Sequence, residues 1–299
     1  MGKGTRNKAQ TARQRIAEQQ AAARRAEVRR NVFLAGGAVV VVIIVVVVFV
    51  VIKISSGGSG SGSTAAEGVN GVALPASVYK NVTTVPDSAL ASVGTGSVLT
   101  YNSSPISTIK GTTLTAAGKP EMLYIGAEFC PYCAAERWAM AVALSKFGTL
   151  SSPLHGIHSS STDTNPSTPT LTFYKSTYTS KYLTFTPVEN ETDSHAALQN
   201  TTAAQQAIWE KYSPSGQLGY PFIDFGNQYL INAPQYDPAV LSGLTWEQVA
   251  QQMRDPSSKV AQGVLGSANY MTAAICKMTG NAPASVCSAA SVTAMEGKL

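Results

Sequence analysis

The chain has 299 residues, of which 44% are hydrophobic and 13% charged, and its formal net charge is +5 at pH 7. Residues 1–30 hold nine Lys or Arg and two Glu of the chain's 22 basic and 17 acidic residues, so 13 basic and 15 acidic residues remain in the rest. This balance argues against a main domain that binds nucleic acid, because phosphate recognition needs a basic surface. The basic tail, residues 1–31, is interpreted as a cytoplasmic orientation signal; contact with anionic lipid or nucleic acid is the alternative.

An uncharged run of 21 residues, Val32 to Ile52, follows the tail. As a helix it would rise about 1.5 Å per residue and reach the thickness of the hydrocarbon core. A cleavable signal peptide is the alternative, but its apolar core is usually shorter. Residues 32–54 are therefore predicted to form one transmembrane helix, with the N-terminus cytoplasmic and the C-terminal domain extracytoplasmic, at the cell membrane.

A Gly/Ser-rich linker, residues 55–69, separates the predicted anchor from one globular unit, residues 70–299. Gly/Ser-rich segments are flexible, so this one can hold the domain away from the membrane. The unit is long enough to bury a core of its own.

The first part of this unit shows short elements followed by a buried strand and a helix. The apolar run at 122–127 is typical of a buried strand, and apolar residues on two faces of the next segment predict a buried helix. The predicted elements are a helix near 87–92, strands at 106–109, 114–116 and 122–127, and a helix at 134–147, with Gly148 at its end.

The second part alternates in the same way. Gly226-Asn227 between two apolar runs predicts a hairpin, and Thr245 with Gln248 three residues on predicts a helix start. The alternation indicates an α/β core with a mixed sheet. The predicted elements are a strand at 156–159, extended structure at 171–188, a helix at 194–212, strands at 222–225 and 229–231, a helix from Thr245, and a helical extension from Ser257 that breaks at 280–283.

The stretch Cys130-Pro131-Tyr132-Cys133 lies between the predicted strand and the predicted helix. A helix N-terminus favours a thiolate, which is the species that attacks disulfides. Zinc would need two further ligands, haem attachment would need His at Ala134, and an inert disulfide is the remaining alternative. The position favours thiol–disulfide exchange, with Cys130 as the more exposed attacking sulfur and Cys133 as the buried resolving sulfur. No metal and no cofactor is predicted.

Two further cysteines, Cys276 and Cys287, flank the break in the helical extension. Four cysteines allow three pairings, and the local pairing is favoured. A structural disulfide between Cys276 and Cys287 is predicted, with a second redox pair as the alternative.

The motif with its preceding Glu128-Phe129 resembles the active site of the thioredoxin fold. The resemblance implies a cis-proline beside the cysteines, and Tyr220-Pro221 before the predicted hairpin fits that place. It also implies that Tyr220 and Pro221 position the substrate backbone.

The wider run 128–148 resembles the DUF929 family, whose members are thioredoxin-like and often membrane-anchored. The implied fold is therefore α/β and thioredoxin-like, with insertions and a helical C-terminal extension, preceded by one transmembrane helix. Thioredoxin has a buried acid six residues before its first cysteine, where this chain has Tyr124. Glu128 is the alternative proton acceptor, although a solvated surface Glu is an equally good interpretation.

These features predict a membrane-anchored thiol–disulfide oxidoreductase that acts on extracytoplasmic protein cysteines. Its partners would be protein thiols or disulfides and a recycling redox partner, with no nucleic acid. A non-catalytic thioredoxin-like binding or assembly module is the second hypothesis, with Cys130 and Cys133 in a structural disulfide. A chaperone for a soft metal ion is the third, which the lack of nearby Met or His ligands disfavours.

Overall fold

A computed structural model describes residues 71–213 and 217–299. The predicted tail, anchor and linker lie outside the described residues. Within the described ranges, no helix combines the length and apolar character needed to cross a membrane.

The strands are β1 (Val72–Ala73), β2 (Ser107–Thr108), β3 (Thr115–Ala116), β4 (Lys119–Gly126), β5 (Gly148–Leu150), β6 (His155–His158), β7 (Pro169–Thr172), β8 (Tyr178–Ser180), β9 (Thr184–Glu189), β10 (Phe222–Phe225) and β11 (Tyr229–Ile231). The largest sheet has the strand order β2-β11-β10-β4-β3, and β9 also pairs with β4. β4 and β9 are parallel, whereas the other pairings in this sheet are antiparallel, so the sheet is mixed as predicted. A smaller sheet has the order β1-β6-β7, and another pairs β5 with β8.

The register brings three strand ends to one edge of this sheet. Gly126, the last residue of β4, lies beside Glu189, the last residue of β9. The antiparallel β10 starts at the same edge, where Phe222 lies opposite Ile125. Residues that follow β4, end β9 or precede β10 therefore come together, although they are far apart in the chain.

Helices cover both faces of the sheet. Because side chains alternate along a strand, Met122 and Tyr124 belong to the larger core, with the helices Pro131–Ser145 and Lys259–Met278. Leu123 and Ile125 point to the other face and pack with Trp209 of the helix Ala203–Tyr212. The helices are α1 (Ala76–Thr83), α2 (Asp87–Val93), α3 (Val98–Tyr101), α4 (Pro131–Ser145), α5 (Ala203–Tyr212), α6 (Trp246–Gln252), α7 (Lys259–Met278), α8 (Ala284–Cys287) and α9 (Ala290–Glu296), with a 3₁₀ helix at Pro238–Leu241.

Helix α4 is the centre of the fold. It packs against α7 on one side and against β7 on another, and 13 of its 15 residues are buried. Its sequence therefore has apolar residues on more than one face, as predicted.

Two predicted boundaries are wrong. Helix α5 begins at Ala203 rather than near 194, because Thr202 and Gln205 form a capping box that fixes the first turn there. Helix α4 ends at Ser145, and Gly148 opens β5 instead of terminating the helix. The hairpin 222–231 and the capping box of Thr245 with Gln248 are confirmed.

Candidate functional site

Cys130 caps the N-terminus of α4. The backbone N–H of Cys133 donates to the Cys130 sulfur at 3.2 Å, and Pro131 occupies the first turn, where its missing N–H costs nothing. The Cys130 carbonyl accepts from the Ala134 N–H at 3.0 Å. The strand–turn–helix sequence thus places the first sulfur at the positive end of the helix.

Both cysteines are free thiols in the structure. Cys133 is fully buried, as expected, but Cys130 keeps only 4% of its surface exposed. Cys130 is therefore the more exposed of the two sulfurs, as predicted, but the difference is small. Little of its surface is open to a partner.

The pKa values of the two thiols are shifted in opposite directions. Hydrogen bonding from the Cys133 thiol is the largest cause that lowers the pKa of Cys130, and backbone N–H groups and the Arg137 cation add to it against the effect of burial. Burial raises the pKa of Cys133 well above its ordinary value. Of the two thiols, Cys130 is therefore the one that forms a thiolate more readily, and Cys133 holds its proton more tightly.

A fully buried ion pair lies next to the motif. The Arg137 Nε donates to Glu189 Oε1 at 2.8 Å, and its Nη2 donates to Glu189 Oε2 at 2.7 Å. Nη2 also donates to the Ala127 carbonyl at 2.7 Å. This ion pair was not predicted from the sequence, although a lone Arg in the apolar stretch of α4 indicates that a buried partner is needed.

Tyr124 is completely buried on β4, and its hydroxyl has no hydrogen-bond partner among the described residues. Burial raises its pKa well above the ordinary value, so the hydroxyl stays protonated. The hydroxyl lies against the Cα of Gly126, because a Cβ added there would overlap it. The strand position six residues before Cys130 is thus filled by a neutral donor instead of an acid.

Glu128 is fully buried, so the interpretation as a solvated surface residue is wrong. Its Oε1 accepts from the Thr172 hydroxyl at 2.6 Å, and its backbone N–H donates to the Glu191 carbonyl at 2.8 Å. The side chain is held in place two residues before Cys130, at the edge of the sheet where the motif begins.

The Tyr220–Pro221 peptide bond is cis. The Tyr220 ring stacks on Trp209 at 5.3 Å between centroids and meets the edge of Phe129 at 6.0 Å. Burial raises its pKa, and the nearby charges of both cysteines act in the same direction. The residues on the two sides of the site, Phe129 before α4 and Tyr220 before β10, are therefore in direct contact.

A surface cleft of about 530 Å³ is lined by Thr100, Tyr101, Asp237 and Lys259, among other residues. None of the described residues that line this cleft belongs to the cysteine motif.

The other two cysteines form a disulfide, with a Cα–Cα distance of 5.6 Å. It joins α7 to α8 across the predicted break. The described residues contain no group of three or more His, Cys, Asp or Glu side chains arranged to hold a metal ion.

The site and fold define an α/β protein with a buried pair of cysteines at a helix start. The model of a family described as a domain of unknown function (DUF929) matches residues 105–277, and the chain belongs to that family. No curated protein and no solved structure matches the chain.

Proposed function

We propose that this protein is a membrane-anchored thiol–disulfide oxidoreductase that uses Cys130 and Cys133 on extracytoplasmic protein substrates. The observation that carries the proposal is the 3.2 Å hydrogen bond from the Cys133 N–H to the Cys130 sulfur at the start of α4. Such a sulfur is held where a thiolate is stabilised and where a second thiol is one helical turn away.

The exchange is a two-electron reaction. In the reducing direction, the Cys130 thiolate attacks a substrate disulfide, forms a mixed disulfide, and releases one substrate thiolate, which takes a proton. Cys133 loses its proton and attacks the Cys130 sulfur; the mixed disulfide breaks, the second substrate thiolate leaves, and the pair becomes oxidised. In the oxidising direction the same bonds form and break in reverse, and a recycling redox partner takes the two electrons from the reduced pair.

Oxidation of substrates is the proposed direction. The compartment outside the membrane favours disulfides. In that direction Cys130 is the leaving group from the mixed disulfide, and a sulfur of lower pKa leaves faster.

The strand arrangement supports a thioredoxin-like fold. The four strands in the order β9-β4-β10-β11 hold one parallel pair and two antiparallel pairs, with the cysteines after β4 and the cis-proline before β10. In this proposal Tyr220 and Pro221 position the substrate backbone, and the contact between Tyr220 and Phe129 forms one wall of the site. Glu128 is the proposed proton acceptor.

The uncharged run 32–52, the basic residues before it and the Gly/Ser-rich linker after it support the anchored location. A domain on such a linker would reach substrates near the outer membrane surface.

The Cys130→Ser variant tests the function. We expect the full-length variant to lose exchange with a reduced or scrambled protein substrate, while Cys133→Ser accumulates a mixed disulfide that stays on Cys130. The double variant Cys276→Ala/Cys287→Ala is the matched control and should keep its turnover. Unchanged turnover in Cys130→Ser would overturn the proposal.

A non-catalytic binding or assembly module is the second candidate. The observation that favours it is the 4% exposure of Cys130, which leaves little surface for an incoming sulfur. Exchange with glutathione separates the two candidates: the oxidoreductase reaches a thiol-dependent equilibrium, whereas the module keeps a disulfide that glutathione does not open.

A further inference from the structure

The Arg137–Glu189 ion pair is a fully buried pair of charges in the described core. Both side chains are fully buried, and two parallel hydrogen bonds at 2.7 and 2.8 Å join them. Desolvation of two charges offsets most of their attraction, so such a pair adds little stability over an apolar pair of similar volume. Packing alone therefore does not explain why a cation is placed here.

The pair is joined to the cysteine motif through Ala127. The Ala127 carbonyl accepts from the Cys130 N–H at 3.2 Å and from Arg137 Nη2 at 2.7 Å. One carbonyl thus links the Cys130 backbone to the guanidinium.

Helix geometry gives a second link. Cys133 and Arg137 are four residues apart on α4, so they share one face of the helix. The Arg137 guanidinium carbon lies 5.9 Å from the centre of the Tyr124 ring, on the strand that leads to the motif. The Arg137 charge lowers the pKa of both cysteines.

Arg137 also keeps unused donors. Its Nη1 is buried and has no hydrogen-bond partner among the described residues. An unpaired buried donor is unfavourable unless a negative charge appears nearby at some stage. Ionisation of a thiol of the cysteine pair creates such a charge.

We propose that Arg137 is a positioning residue that stabilises the thiolate form of the reduced pair, and that Glu189 holds its guanidinium in place and limits its effect. This inference rests on the proposed function only where it says that a stabilised thiolate assists thiol–disulfide exchange. The ionisation of Cys130 itself is measured without any protein substrate. A cation near the pair stabilises the thiolate of the reduced state and makes the couple more oxidising.

Other titratable or charged groups come from each element around the cysteines: Tyr124 from β4, Glu128 after it, Glu189 from β9 and Tyr220 before β10. Tyr124 and Tyr220 are neutral near pH 7, since burial raises the pKa of both. Arg137 is the cation that acts on both cysteines.

Two variants of the full-length protein separate this role from a structural one. Arg137→Met/Glu189→Leu replaces the pair by apolar side chains, which is the replacement expected to keep the fold. Glu189→Gln keeps the cation and removes its counter-charge. The readout is the pH dependence of Cys130 alkylation by iodoacetamide, followed by mass spectrometry after reduction.

We expect the apolar double variant to slow alkylation at pH 6 by about tenfold, equivalent to about 1.4 kcal/mol of lost thiolate stabilisation, and Glu189→Gln to speed it. The glutathione equilibrium should shift with them, toward the disulfide in the double variant. If the ion pair only supported the fold, the rate of Cys130 alkylation would change in the same direction in both variants or in neither.

A folded double variant with the wild-type alkylation profile would overturn the proposal. If Glu189→Gln fails to fold, the double variant and Arg137→Lys, which keeps the charge and should retain most of the fast alkylation, still decide the outcome. Loss of turnover is not a readout here. A shifted profile in a protein that does not exchange with substrates would uphold this inference and refute the proposed function.

Discussion

The Cys133 backbone nitrogen and the Cys130 sulfur are 3.2 Å apart, and hydrogen bonding from the Cys133 thiol is the largest cause that lowers the pKa of Cys130. Cys133 therefore acts on Cys130 through its backbone N–H and through its thiol. A substitution at Cys133 removes the thiol but keeps the backbone N–H, so the two effects can be measured separately.

The pair Cys133→Ala and Cys133→Ser measures the side-chain bond. Ala removes the donor, so the pKa of Cys130 should rise and its alkylation at pH 6 should slow, whereas the Ser hydroxyl should keep most of the wild-type rate. The measurement is the alkylation rate of Cys130 from pH 5 to pH 9. Identical profiles for the two variants would show that the thiol bond has no effect.

Tyr124→Phe should not destabilise the protein. Its hydroxyl is buried without a partner in the described part of the chain, so its removal gains up to about 1–2 kcal/mol in the free energy of unfolding. Tyr236→Phe is the matched control: the Tyr236 hydroxyl donates to the Ala135 carbonyl at 2.6 Å, and its removal should cost about 1 kcal/mol. Urea unfolding measures both, and a clear loss of stability in Tyr124→Phe would contradict the expectation.

Glu136 makes stability depend on pH. Burial raises its pKa from the ordinary 4.5 to about 7, although it accepts from the Gln235 N–H at 2.7 Å and the Ser267 hydroxyl at 2.8 Å. Since the folded state holds this proton more tightly, its stabilising effect is complete below about pH 4.5 and is lost as the pH rises through about 7. The loss is on the order of 3 kcal/mol.

Glu136→Gln should therefore flatten the fall in unfolding free energy between pH 5 and pH 8. Asp224→Asn is the control, because burial raises the pKa of Asp224 only to about 6. In this variant the free energy of unfolding should change between pH 7 and pH 8 as it does in the wild type. Urea unfolding at pH 5, 7 and 8 makes the comparison. An unchanged slope in Glu136→Gln would refute the assignment.

Local signals predicted the elements that frame the site. The hairpin followed from Gly226-Asn227, both of which have positive φ, and the start of α6 followed from the capping box of Thr245 with Gln248. Cys130 and Cys133 were likewise found from their spacing. Each of these features depends on residues that are close in the chain.

What the sequence analysis missed depends on distant partners. Arg137 and Glu189 are 52 residues apart, and Glu128 meets Thr172 across 44 residues. No periodicity joins such residues; only the parallel pairing of β4 with β9 and the packing of α4 bring the ion pair together. The burial of these charges therefore became clear only from the structure.

The disulfide between Cys276 and Cys287 should be the more resistant of the two cysteine pairs. Burial does not separate the two pairs, because each has one fully buried and one nearly buried cysteine; the lowered pKa of Cys130 instead stabilises the reduced form of its pair. We expect a titration with glutathione, read by alkylation and mass spectrometry, to open Cys130–Cys133 at milder conditions. Simultaneous opening would favour a second redox pair instead.

The double variant Cys276→Ala/Cys287→Ala should lower the free energy of unfolding by about 3 kcal/mol, as expected for a loop of this length. Cys130 alkylation should stay unchanged in this variant, because the disulfide joins α7 to α8 and not to the start of α4.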